Sequence, residues 1–487
     1  MFLGIDIGTT AVKAIIVDGD QQLVAAATRE HPTARPQPGW SEQNPDDWLA
    51  AVRGALVELR TAAANAYAAI EAIGLSGQMH SAVLLGADLR PVMPALLWND
   101  SRGTDECAEL TRRAPGLAAV TGVQAMAGFS AAKLLWLGKH RAADFARIAH
   151  VMLAKDYVRL WLTGEIGSDM SDAAGTQLFD EANRKWWPDA VAAVGLRDGH
   201  MPPLHEGPEV AGRLRAELAA ELGLTAGLPV AAGGGDAGTG SLGVGCIARG
   251  EGFVSLGTAA VFVVADDRYA PRPETMLHNF AHCLPRRWYQ MAGMLNGASV
   301  VRWALDIIGE TDIAGLMRKV EARYRGPSHV LFLPYLTGER TPHNNPDARG
   351  VFYGLAAGTD KVDLMQAVLE GVAFSLKDAR NCLIAAGADC PRPGFLGGGS
   401  RNRLWGQIIA SVTGLTLIPY RGAEFGPALG AARLAIMAAT NAGIEEVGRK
   451  PEEGEPIAPD MAMHELYAPQ YERYRELYRS VAPLFQG

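Results

Sequence analysis

At 487 residues the chain is too long for a single hydrophobic core, so two large domains are expected. Its 48% hydrophobic and 20% charged residues are ordinary for a globular protein, and no apolar run reaches about eighteen residues without glycine or charge, which excludes a helical membrane span. A net charge of −8 without a basic stripe argues against nucleic acid as a partner and leaves room for a small anionic ligand that carries its own magnesium.

Taken in chain order, the first element is an apolar run, Gly4-Ile5-Asp6-Ile7, followed by Gly8-Thr9-Thr10 and a second apolar run, Ala11-Val12-Lys13-Ala14-Ile15-Ile16-Val17. This predicts a β-hairpin with the glycine and two threonines at its tip. Gly8 is expected to adopt backbone angles that other residues resist, so that main-chain N–H groups approach an anion. Asp6 would stand beside them as a water-mediated magnesium ligand. A plain hairpin turn has the same pattern. The absence of a basic leader predicts a strand at the N-terminus and no signal peptide. A third strand is expected near residues 23–28, then a Pro-rich loop at 31–38. Asn44 and Pro45 predict the cap and first position of a helix over 48–64. Strands are expected at 70–75 and 82–85, the first ending in Ser76-Gly77-Gln78-Met79-His80. Helical segments and loops should fill 104–222. A buried strand at 229–232 then feeds Gly233-Gly234-Gly235-Asp236, where a carboxylate leaves a glycine-rich strand end. Asp236 is therefore a candidate base toward a substrate hydroxyl, with helix capping as its bland alternative. Gln78 and His80 are candidate polyol contacts, and Trp98-Asn99-Asp100-Ser101-Arg102 is a polar cluster of similar standing.

A domain boundary is expected near 245–250, because Gly252-Phe253-Val254-Ser255-Leu256-Gly257-Thr258 then repeats the opening pattern half a chain later. The repeat aligns Gly8 with Gly257 and Thr9 with Thr258, and it replaces Asp6 by Ser255. Two such turns predict a duplicated α/β architecture with a cleft between its halves, residues 1–246 and 247–487. In the second half a strand is expected at 330–333, a helix at 362–386, and a strand ending in Gly397-Gly398-Gly399-Ser400-Arg401-Asn402 ahead of an amphipathic helix over 404–413. That turn suits an anionic or flat ligand. It lacks the GxGxxG spacing of a dinucleotide fold, and the chain has no GxxxxGK[ST]. An aromatic amphipathic segment, 467–484, could pack on either half. The five cysteines are scattered, without metal-ligand spacing, and read as reduced thiols of a cytoplasmic protein.

These residues together resemble the FGGY family of carbohydrate kinases, within the actin-like ATPase superfamily. The resemblance runs the length of the chain. Gly128-Phe129-Ser130-Ala131-Ala132-Lys133-Leu134-Leu135-Trp136-Leu137 is similar to the family's first signature. Gly350-Val351-Phe352-Tyr353-Gly354-Leu355, with Asp363-Leu364 and Leu369-Glu370, is similar to the second. Trp40-Ser41-Glu42-Gln43, Gly77-Gln78-Met79-His80, Leu97-Trp98-Asn99-Asp100, the stretch from Ser168 to Thr176, and Gly338-Glu339-Arg340-Thr341-Pro342-His343 are most similar to its xylulokinase branch.

The resemblance implies ATP-dependent phosphorylation of a ketopentose, D-xylulose to its 5-phosphate, with ATP and Mg²⁺ required. It implies Asp236 as catalytic base and Asp6 as the metal- and phosphate-associated acid. Thr9, Thr10, Lys13, Gly257 and Thr258 would serve ATP phosphates, and Gly297, Gly398, Gly399 and Asn402 the rest of the nucleotide. Met79, His80 and Gln78 would contact sugar. Xylulokinases usually carry Asn after the base, whereas this chain has Ala237, which bears on the identity of the sugar. Ribulose, gluconate and glycerol are the alternative acceptors. An actin-like ATPase without transfer chemistry, or a sugar sensor, is the alternative outside the kinases. No nucleic-acid or membrane partner is expected, and a homodimer is left open.

Overall fold

The computed structural model describes residues 1–422 and 425–485. Its framework is two mixed sheets with the same internal order. In the first half, β1 (Phe2–Ile7), β2 (Ala11–Val17) and β3 (Leu23–Glu30) form an antiparallel meander. After α1 (Pro45–Ala62), β4 (Ala72–Gly77) returns parallel to β1. Asn44 caps α1 through its side-chain oxygen, with Pro45 at the first helical position, as the sequence predicts. Two further helices, α2 (Ser130–His140) and the short α3 (Met170–Ala174), lie in the region between β4 and β5 (Val210–Arg213); β6 (Pro229–Ala231) follows. The strand order is β5-β6-β4-β1-β2-β3, with Gly234–Gly235 adding beside β4. The stretch 104–222 thus holds short strands as well as the helices expected there.

Helix α4 (Asp236–Gly243) and the connection after it lead to the second sheet. Here β7 (Gly252–Leu256) and β8 (Ala260–Asp266) form the repeated hairpin. They are joined by β9 (His278–Ala281), β10 (Trp288–Met294) and, after α5 (Lys361–Ala385), by β11 (Gly394–Leu396) parallel to β7. Helix α6 (Arg403–Thr413) precedes β12 (Ile418–Pro419), and the order is β12-β11-β7-β8-β10-β9. Matching β6-β4-β1-β2-β3 to β12-β11-β7-β8-β10 restores the duplication read from the two Gly-Thr turns.

One element crosses the sequence order. Helix α7 (Gly426–Thr440) lies against β1 and β4 of the first sheet. The approach is backbone to backbone. A Cβ on Gly74 would stand 1.8 Å from the Ala431 carbonyl oxygen, and one on Gly4 2.1 Å from that of Ala428. α7 meets α4 in the same way, since a Cβ on Gly430 would stand 1.9 Å from the Thr239 oxygen. Glycines and alanines remove the side chains that would hold these elements apart. The final helix, α8 (Met461–Val481), buries Tyr467, Tyr471 and Tyr474 on the core of the second half. No helix among the described residues is long and apolar enough to cross a membrane.

Candidate active site

The two hairpin tips are three-residue loops, 8–10 and 257–259. Gly8 differs from expectation: it is not among the residues with positive φ. Its constraint is space, since a Cβ would meet the Ala11 oxygen at 2.9 Å while Gly8 N–H donates to that oxygen. Asp6, at the end of β1, is almost fully buried. It accepts the Ser76 hydroxyl at 2.9 Å, and Ser76 Oγ lies 2.8 Å from Thr239 Oγ1 on α4. Burial raises its pKa, and the Ser76 bond and the charge of Lys13, its cross-strand partner, work against the rise. Thr9 Oγ1 accepts Trp98 Nε1–H at 2.9 Å, and its carbonyl accepts Gln43 Nε2–H at 2.6 Å. Gln78 is fully buried behind this turn and donates to Gln43 Oε1 at 2.9 Å. It supports the hairpin tip and does not reach the cavity wall. Around the second tip, the Gly257 and Thr258 carbonyls accept N–H groups of Ala298 and Gly297, at 2.6 and 3.0 Å. Gly297 has no room for a side chain there.

Asp236 is the first residue of α4. The cap position belongs to Gly235, so capping does not consume the Asp236 carboxylate. Gly233 has φ +88°, and a Cβ on Gly235 would meet Met79 Cγ at 2.6 Å, so the glycines let this strand end turn beside Met79. The turn is braced from behind. Gly235 N–H donates to Ser171 Oγ at 3.0 Å, and Ser171 donates to Asp169. Asp169 is paired with the buried Lys155 at 2.8 Å. The Asp236 carboxyl opens on the cavity, yet protein surrounds it. Burial and the nearby Asp6 push its pKa up to about 7, against N–H groups of Ala237 and Met79.

His80 follows Met79 with φ +64°, a left-handed conformation unusual for histidine. Its Nδ1 lies 2.6 Å from the Gly175 carbonyl oxygen, so the neutral ring donates from Nδ1 and keeps Nε2 as an acceptor. Burial, helped by Lys133 and Arg340, lowers its pKa to about 3. Lys133, on α2, is fully buried and donates to three carbonyls, those of His80 (2.8 Å), Leu97 (2.7 Å) and Leu96 (3.1 Å). It ties the His80 and Trp98 loops together. Sequence reasoning saw Lys133 only as part of a signature. A lysine set among Ala131, Ala132, Leu134 and Leu135 is the signal that marks it. The Trp40-Ser41-Glu42 and Trp98–Arg102 motifs also converge: Arg102 pairs with Asp100 and Glu42, each at 2.7 Å, and stacks on Trp40. This clamp is structural.

The main cavity, of about 670 Å³, joins both halves. Met79, His80, Trp98, Asp236 and Ala237 come from the first half, and His278 and Arg340 from the second. Ser255, Val261, Leu396, Gly397, Gly398, Tyr420 and Pro427 complete its wall from the second half. Gly397 has φ +87°, which turns the β11 end back across Leu256. Of the sequence-predicted residues, Met79, His80, Asp236 and Gly398 line this cavity. Asp6, Thr9, Thr10, Lys13, Gly257, Thr258 and Gly297 belong to the two hairpin tips and their bracing. Gly399 packs on Leu256, and Asn402 Oδ1 caps α6 by accepting Trp405 N–H at 2.9 Å. Neither Gly399 nor Asn402 is on the wall. His278 and Arg340 went unassigned in sequence because their significance lies in what they fail to pair with. No group of three or more His, Cys, Asp or Glu among the described residues could cage a metal. A magnesium ion brought by phosphates needs only one or two carboxylates, and Asp6 is a carboxylate at the first hairpin tip with Asp236 near it.

A duplicated α/β core with a Gly-Thr tip on each sheet and a carboxylate on the cavity between its halves fits a nucleotide-dependent sugar kinase. The chain matches the FGGY family of carbohydrate kinases, N-terminal domain over residues 1–243 and C-terminal domain over 252–439. The chain belongs to that family and is an ATP-dependent carbohydrate kinase with the actin-like ATPase fold. It is 41% identical to the xylulose kinase of Escherichia coli K12, over 99% of this chain and 100% of the relative, and 40% identical to that of Klebsiella pneumoniae, with the same coverage. Among solved structures it is similar to a xyloylose kinase from Brucella ovis (TM-score 0.95, 45% identity, 99% of both chains) and to xylulose kinase from Rhodospirillum rubrum (TM-score 0.91, 29% identity, 100% of both chains).

Proposed function

We propose that this kinase transfers the γ-phosphoryl group of ATP to O5 of D-xylulose, with Asp236 as the general base. The observation that carries this reading is Asp236 itself. Its carboxyl opens on a cavity that His80 and Trp98 of the first half share with the Gly397–Gly398 turn of the second. A base with a pKa near 7 is half-ionised at neutral pH and matched to accepting a hydroxyl proton as that oxygen attacks phosphorus. The naming of full-length relatives as xylulose kinases supports the choice of sugar.

In this mechanism Met79, His80 and Trp98 hold the acceptor, and His80 Nε2 accepts a sugar hydroxyl. Asp236 takes the O5 proton. Thr9 and Thr10 on one tip, and Gly257 and Thr258 on the other, approach the phosphates, with Lys13 adding charge behind the first tip. Gly297 gives the second tip its close backing, while Gly398, Gly399 and the cap at Asn402 form the turn against which adenosine lies. Asp6, beside Asp236, would hold the magnesium ion carried by ATP, which would offset phosphate charge. Catalysis is then chiefly positioning and electrostatics. The two halves, 1–246 and 247–487, would close about the connection near 245–250, where Gly245 and Gly250 both have positive φ. Excluding water there suppresses futile ATP hydrolysis.

A coupled ATP assay over ketopentoses, polyols and gluconate tests the assignment. D-Xylulose should give the highest kcat/KM. A higher value for ribulose, gluconate or glycerol would reassign the acceptor within the family.

A further inference from the structure

Two second-half side chains reach the cavity near Trp98 and Phe129 with unused hydrogen-bonding capacity. The Arg340 guanidinium makes no hydrogen bond or ion pair with any described residue and stands over the Trp98 ring, 5.7 Å from its centroid. Its neighbour Glu339 turns away, accepting N–H groups of Leu295 and Arg340 and the Asn296 amide. His278, on β9, is 1% exposed, and both of its ring nitrogens lack a partner. A buried donor without a partner is costly, so a ligand atom is the natural partner for each. Both lie near His80: the Arg340 charge is felt by the His80 ring and by His278, and His278 and His80 flank Phe129. The Asp236 carboxyl faces the same cavity from the Met79 side. With Asp236 engaged by the hydroxyl that is phosphorylated, the donors of Arg340 and His278 are left for another group of the acceptor.

The chemistry of the acceptor says what that group is. This step rests on the ketopentose reading above. In the furanose form of a 2-ketopentose, O5 is the ring oxygen and has no proton to lose. O5 can be phosphorylated only in the open chain, where the C2 carbonyl is free. That carbonyl oxygen is an acceptor without a donor. Neutral His80 offers Nε2 as an acceptor and cannot serve it. A guanidinium has donors only, and a neutral imidazole has one donor.

We propose that Arg340, assisted by His278, binds the C2 carbonyl of the open-chain ketose and makes the site prefer a ketose to the polyol of the same carbon skeleton. Because both residues come from the second half, the carbonyl also joins the two halves across the sugar.

The test compares kcat/KM for D-xylulose with that for xylitol and D-arabinitol, its two C2-reduction products, in the wild type, Arg340→Gln, Arg340→Lys and His278→Asn. Melting temperatures report folding, and tryptophan fluorescence titration without ATP gives the same ratio from binding where polyol turnover is too slow. Arg340→Gln should lower kcat/KM for D-xylulose by roughly ten- to a hundredfold and for the polyols by less than about threefold. Arg340→Lys should keep part of the preference. Equal losses for ketose and polyol would overturn the proposal while leaving the kinase assignment intact. So would a wild type that favours gluconate and loses that preference in Arg340→Gln, which would make a carboxylate the partner. A folded wild type that turns over no ketopentose would overturn the functional reading, and this inference with it.

Discussion

The two hairpins share a loop length and a Gly-Thr tip but differ in what surrounds one position. Asp6 stands across from Lys13 on β2 and beside Ser76 on β4. Its counterpart, Ser255, stands across from Val261 on β8 and beside Leu396 on β11. A charge, a hydroxyl and an acid in the first half have become two apolar side chains and a serine in the second. Ser255, Val261 and Leu396 all line the cavity. The difference teaches how a duplicated core acquires direction. One copy keeps a buried acid that can be satisfied by polar neighbours, and the other offers an apolar wall suited to a flat ring. The copy without the acid also lacks the polar neighbours that make an acid tolerable there.

The largest expected effect comes from the residue that the acid half supplies and the second half lacks. Asp236→Asn should reduce kcat for D-xylulose by about 10²–10⁴-fold while ATP still binds. Retention of more than about a third of turnover would remove Asp236 from the base role. The same substitution should stabilise the fold at high pH. The folded pKa of Asp236 is raised to about 7, so the folded protein binds the extra proton between its ordinary value and about 7. The stability contributed by that proton is present at low pH and lost as pH rises through about 7. Asp236→Asn should therefore melt higher than wild type at pH 8, with the gap closing by pH 4. In the wild type, kcat/KM should climb with pH through the same range.

Next comes the comparison itself. Asp6→Ala should cost on the order of 10²-fold in magnesium-dependent turnover and change sugar affinity little. Adding Ser255→Asp should not restore it, because that acid would face Val261 and Leu396. It should instead raise the KM for ATP by roughly five- to tenfold, as read from initial rates. Recovery of activity in the double variant would show that the two hairpins are interchangeable.

The smallest effect concerns Ala237. This residue lines the cavity, so an amide placed there reaches the acceptor. Ala237→Asn should sharpen the preference for D-xylulose over other ketoses by up to about tenfold, the worth of one hydrogen bond of ~0.5–1.5 kcal/mol. A lower melting temperature with unchanged substrate ratios would make the position one of packing only.

Much of this was legible in the sequence, and for identifiable reasons. The hairpins could be read because strand pairing and a three-residue tip are local, and the repeat made them visible twice. Asp236 could be read because three glycines before an acid have few other uses. Helix α7 could not be placed, because it docks on Gly4 and Gly74 across more than 350 residues and its small residues give no apolar stripe. Gln78 was read toward the cavity because it precedes Met79 and His80, yet Gln78 turns inward to Gln43. Gly8 is required for the room beside the Ala11 oxygen and not for a left-handed backbone. The roles of Lys133, Arg340 and His278 depend on partners, or on the lack of them, that only three dimensions supply.

The central claim is transfer to the terminal hydroxyl of an open-chain ketopentose beside Asp236. Phosphorus–proton coupled NMR of the product from D-xylulose, ATP and Mg²⁺ tests it directly. The account predicts one phosphate ester per ATP consumed, on the C5 methylene next to a CHOH carbon, formed about 10²–10⁴-fold more slowly by Asp236→Asn. An ester on the C1 methylene next to the ketone, or ATP consumed without an ester, would contradict it.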